Sequence, residues 1–145
     1  MSNQVSKTGL FVVQFQIGKE VPGAPELHLS LTVNTVTHQV RGLGNVSQTT
    51  NPTLQLPTYV KGNYFISPLL PPAEYPITVQ LTGWPAETNP LSTIVLYPNT
   101  EIFMHVNESW TAGVCSYKYE LNGRWHPVPD VPVKIIQTAA LTPVS

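Results

Sequence analysis

The sequence predicts an all-β domain, an antiparallel β-sandwich of immunoglobulin-like size, with a closed antiparallel β-barrel as the alternative. Three observations lead there. Apolar and polar residues alternate with a period of two through successive short runs, the pattern of half-buried strands. The chain carries 15 prolines, and a proline inside a helix costs about 3 kcal/mol, so 52–98 and the segment beyond Pro127 cannot hold long helices. Turn residues separate the runs at roughly the 8–12-residue rhythm of sandwiches and barrels.

The runs follow in order. Phe11, Val13, Phe15 and Ile17 share one face against Gln14 and Gln16. Val21-Pro22-Gly23-Ala24-Pro25 then turns the chain into Leu27, Leu29, Leu31 and Val33, which alternate with His28, Ser30 and Thr32. The segment from Val36 to Val46 carries Gly42 and Gly44, which predict a bulged or strongly bent strand. Leu54, Leu56, Val60, Tyr64 and Ile66 share one parity, with Thr58 and Gly62 as weak members. Tyr75, Ile77, Val79 and Leu81 make the next strand, and Ile102, Met104 and Val106 another. Cys115, Tyr117, Tyr119 and Leu121 oppose Ser116, Lys118 and Glu120. Asn122-Gly123 is a hairpin signal, because both positions accept φ > 0. Val131, Val133 and Ile135 close the series. Pro127, Pro129 and Pro132 each remove a backbone donor there, which predicts an edge or irregular strand. One domain over 1–145 is expected, with its core in about 8–137 and a loose tail over 138–145.

Charged residues make up 10% of the chain and net charge is −1, against roughly a quarter charged in ordinary domains. Such a chain has no field to steer it to nucleic acid or anionic lipid. No stretch is long and apolar enough to span a membrane or to act as a conventional signal peptide. The protein is therefore expected in the cytoplasm, or exported without a leader. The lone Cys115 excludes an internal disulfide and a cysteine-built zinc site.

Catalytic and metal motifs are absent. His28, His38, His105 and His126 have no spacing that puts two on one face. The acidic residues, Asp130 and seven glutamates, are scattered, so neither a calcium cluster nor a carboxylate pair is legible. There is no nucleophile elbow or phosphate-binding loop. Cys115 shares the parity of Tyr117 and Tyr119 and is expected in the core. No cofactor and no metal are expected.

The tryptophans are the candidate binding residues. Trp84 lies just past a strand, Trp110 follows one, and Trp125 opens the strand after Asn122-Gly123. An indole on a neutral scaffold stacks on a ligand and donates one hydrogen bond. The competing reading, favoured for each Trp taken singly, folds it back to cap the core.

Gly23-Ala24-Pro25 with Leu27-His28-Leu29-Ser30-Leu31 and Val33-Asn34-Thr35 resembles the opening of a small bacterial family, domain of unknown function 1842. The resemblance continues through Gly44-Asn45-Val46-Ser47-Gln48, Asn51-Pro52, Gly62-Asn63-Tyr64 and Thr82-Gly83-Trp84-Pro85. It ends in Ser116-Tyr117-Lys118-Tyr119, Gly123-Arg124-Trp125 and Val131-Pro132-Val133-Lys134-Ile135. It implies a free-standing bacterial β-rich domain and assigns no activity and no site residues.

The function expected is a non-enzymatic binding or interaction module with a neutral polar face and a glycan, peptide or protein ligand. The alternative is a structural subunit that self-associates through sheet edges. A small hydrolase ranks third.

Overall fold

The computed structural model describes residues 9–50, 53–67, 74–86 and 97–140. These form β1 (Leu10–Ile17), β2 (Glu26–Asn34), β3 (Gln39–Gln48), β4 (Leu54–Ile66), β5 (Ile77–Pro85), β6 (Thr100–Val106), β7 (Ala112–Leu121) and β8 (Arg124–Ala140). Each strand pairs antiparallel with the next, and β8 returns to β1. The fold is a closed up-and-down barrel, so the sandwich expectation is corrected and its alternative holds. Both architectures share one alternation of residues. What separates them is whether the last strand finds the first.

β8 makes that join. Its first half pairs with β7, from Leu121↔Arg124 to Ala112↔Lys134. Its second half pairs with β1, from Ile17↔Val133 to Phe11↔Ala140. Residues 138–140, expected in a loose tail, are therefore strand. Residues 141–145 lie outside the described residues. Arg124–Val131 pair with β7 only, and this overhang holds Pro127 and Pro129. The prolines thus mark a short edge, as their missing donors predict. β8 is also irregular. Its register shifts against β7 between Cys115 and Tyr117 and against β1 between Gln14 and Phe15.

Inward residues fill the ring. Phe15, Ile17, Leu27, Leu29, Leu31 and Met104 are fully buried, and Cys115, Tyr117 and Tyr119 join them as their parity predicts. An eight-stranded barrel is just wide enough for side chains to fill. Every buried polar side chain among the described residues is uncharged. Lys61, Glu101, Lys118, Glu120 and Lys134 stand on outward parities. Apolar in and polar out is the inverse of a lipid-facing barrel.

Two glycines let the strands coil this tightly. A Cβ on Gly42 would sit 1.9 Å from the Ser30 carbonyl oxygen, and one on Gly62 would sit 1.8 Å from that of Gln80. Backbone approaches backbone there, which only glycine permits. β3 keeps register with both neighbours, so its glycines bend the strand and do not bulge it.

The poles are closed differently. At the pole of Leu10, Asn34 and Val106, the β6–β7 turn folds back over the core. Asn107 Oδ1 accepts from the backbone N–H of Thr111 at 2.8 Å and of Ala112 at 3.2 Å. Trp110 stands between them with φ 59°. Its ring meets Phe11 edge-on at 5.4 Å and Tyr64 at 5.3 Å, and His38 stacks on Tyr64 at 4.4 Å. Ile66, expected in the core, lies past this aromatic layer and is exposed. At the other pole Thr58, Asn99 and Thr100 are buried together. Asn99 Oδ1 lies 2.9 Å from the Thr58 hydroxyl and 3.0 Å from that of Thr100.

Two stability measurements check this account by urea unfolding. Trp110→Ala removes the lid and is expected to cost about 3–5 kcal/mol, as large-to-small aromatic changes in cores do. Gly62→Ala, blocked by a carbonyl, is expected to cost about 3 kcal/mol, the top of the usual overpacking range. An unchanged midpoint in either variant contradicts the packing described.

Candidate functional site

A cleft of about 490 Å³ lies on the outside of the barrel, across β5 to β8. Its origin is the irregularity in β8. Pro129 and Asp130 together oppose Ser116, where the register shifts. Asp130 takes φ 50°, its N–H donates to Ser116 Oγ at 3.0 Å, and the Ser116 hydroxyl lies 3.4 Å from its carboxylate. A bulge bends its strand and re-aims the side chains beside it. Here it leaves Phe103, Pro127 and Pro129 as an apolar wall, with Gln80, Thr82 and Ser116 as the polar lining. Phe103 is 43% exposed.

One rung of outward residues crosses the cleft, Thr82, Glu101, Lys118 and Pro127. Lys118 Nζ stands 3.2 Å from the Glu101 carboxylate and 4.9 Å from the centre of the Trp125 ring. The charges at the site thus neutralise each other, and the ammonium covers one face of the indole. Such exposed pairs are worth at most about 1 kcal/mol each, so they orient the side chains more than they stabilise the fold.

Two of the three tryptophans expected to bind lie one rung beyond this cleft, outside its lining. Trp125, opposite Glu120, is one rung beyond Lys118 and 40% exposed. Trp84 lies two residues past Thr82 on β5, half-buried, with Lys61 Nζ 5.3 Å from its ring centre. About three strand spacings, roughly 14 Å, separate the two. Trp110 is elsewhere. It is 7% exposed and serves as the core cap, because the Asn107 turn aims it inward. It offers no surface to a ligand.

Phe103, Pro127 and Pro129 were not legible as site residues. Phe103 breaks the polar parity of β6, and that was the one local signal for it. The cleft itself depends on a cross-strand bulge, which no local pattern writes.

Each histidine engages its own neighbour. His38 stacks on Tyr64 and His126 on Tyr119. His105 Nδ1 lies 3.0 Å from the Thr78 hydroxyl, and His28 faces Glu26 at 3.4 Å. Among the described residues no three His, Cys, Asp or Glu side chains gather as metal ligands do. Burial pushes the Cys115 thiol up to about 12. It also raises the phenols of Tyr117, Tyr119 and Tyr64. The Tyr117 hydroxyl is buried without a hydrogen-bond partner.

The sequence model of a family described as Domain of unknown function (DUF1842) matches residues 8–125. The chain belongs to this family. No curated protein matches the chain. The DUF1842 match runs from the start of β1 to the opening of β8, so it includes Trp84, Phe103, Lys118 and Trp125.

The raised thiol and phenols give two outcomes. In the folded DUF1842 domain Cys115 is expected to resist a thiol reagent at pH 8 and to react once urea unfolds the chain. Stability is expected to be level between pH 6 and 8 and to fall as pH climbs past about 9. The sign follows from the pKa values being higher in the folded state, so that above the ordinary values the unfolded chain has lost protons that the folded chain still holds. Rapid native labelling, or stability that rises between pH 9 and 11, contradicts the burial of these groups.

Proposed function

We propose that this DUF1842 protein is a non-enzymatic binding module and that the outer cleft of β5 to β8 is its binding surface. The observation carrying this reading is the cleft with Trp84 and Trp125 one rung beyond it. Its volume, about 490 Å³, falls within the usual range of ligand pockets. An apolar wall with a few amides and hydroxyls at its margin is the composition such sites have. A non-catalytic role is supported by the four histidines, each engaged with its own neighbour, and by the thiol in the core. A neutral partner, a glycan, a peptide or a protein surface, suits a neutral cleft.

Screening the protein on glycan and peptide arrays tests the reading. Binding is expected, and Phe103→Ala and Trp125→Ala are each expected to weaken it by about tenfold or more, near 1.4 kcal/mol. Both variants should keep their unfolding midpoints, since both side chains stand on the outer face. A silent array, or binding indifferent to both substitutions, sinks the assignment.

One observation favours assembly as a second reading. Leu43, Tyr59 and Trp84 lie side by side on β3, β4 and β5, and Leu43 is 58% exposed. Self-association through sheet edges has less support, because β1 and β8 close the ring and Pro127 and Pro129 interrupt the short edge that β8 keeps beside it. Contact through this outward row replaces it. Light scattering is expected to show concentration-dependent mass that Leu43→Glu abolishes. A monomer at millimolar concentration removes this reading.

A further inference from the structure

We infer that the outer cleft takes an uncharged, proline-rich peptide segment in the polyproline II conformation. The inference rests on the cleft being the binding surface and names its occupant.

The backbone beside the cleft cannot recruit a strand. Arg124–Val131 pair only with β7, so their other edge is open to addition. Pro127 and Pro129 lack the N–H groups that a ladder there would use. A partner must be recognised through side chains across the sheet surface. A polyproline II segment is suited to that, since it makes no ladder and arrives already extended at low entropic cost.

The shape and chemistry of the wall agree. Trp125, Pro127 and Pro129 stand outward in a row along β8, and all three are exposed. From Trp125 to Pro129 the strand rises about 13 Å, which matches four residues of polyproline II at about 3.1 Å each. Flat rings along such a row pack against pyrrolidine rings.

Polar matching points the same way. A proline segment offers carbonyl oxygens and no N–H, so it needs donors. The Gln80 amide and the Thr82 hydroxyl line the cleft, and the Trp125 indole borders it. The charged residues of the lining, Glu101 and Lys118, are 3.2 Å apart. Within the lining these two charges cancel.

The test is an amide NMR titration of the full chain with a proline decamer and, in parallel, with the neutral oligosaccharide maltoheptaose. The decamer is expected to move the Phe103, Ser116 and Lys118 amides and the Trp125 indole signal. Thr82→Arg, on the outer face, is expected to weaken that binding about tenfold or more with an unchanged fold by circular dichroism. Shifts from the oligosaccharide alone overturn the peptide inference and leave the cleft as the binding surface. Shifts from the decamer confined to residues around Leu43 and Tyr59 overturn it too. So does a decamer without effect on a protein that binds on the arrays, an outcome that keeps the binding reading. Silence in both experiments takes both down.

Discussion

The pairing of Phe11–Ile17 with Val133–Ala140 joins the two ends of the chain. Every other pairing in the barrel is a hairpin between neighbours in sequence, closed by a loop and cheap in chain entropy. The β1–β8 ladder spans more than a hundred residues, and its loop-closure cost must be met before any contact rewards it. Yet it decides the architecture. Without it the eight strands would be a curled sheet with two exposed edges. With it, the inward side chains of Phe15, Ile17, Leu29 and Leu31 face a complete ring of neighbours, and the interior fills. The two glycine approaches at Gly42 and Gly62 belong to the same constraint, since a ring of this size requires strands to coil closely.

The strands themselves were legible. Seven runs of alternating residues and one glycine-marked segment became eight strands in the same order, because period-two alternation is a local consequence of one buried face. Closure was not legible. Sandwich and barrel demand the same inward set, and the choice lies in the meeting of Phe11 with Ala140, which no window of sequence contains. The same limit divided the tryptophans. Trp84 and Trp125 sit at outward positions of regular strands. Trp110 lies in a turn, where parity has no meaning, and the Asn107 side chain decides its direction.

The candidate site shows how a fold rule can be broken locally to useful effect. Three prolines in the final strand oppose regular pairing. The barrel accommodates them by leaving two on an overhang paired with β7 alone and by inserting a bulge at Asp130, the only aspartate of the chain. The concavity beside Ser116 follows from that accommodation. Low charge then shapes its chemistry. With few ionic groups on the outer face, the two in the lining pair with each other, and ring faces, amides and hydroxyls make up much of the rest.

The closing ladder has a directional consequence. Phe11 and Ala140 are partners, so the start of β1 and the end of β8 lie side by side at the pole covered by Trp110. Trp84 and Trp125 lie toward the opposite pole. The closing rungs of the β1–β8 ladder and the tryptophan rung therefore occupy opposite ends of the barrel, so a contact made at one leaves the other uncovered.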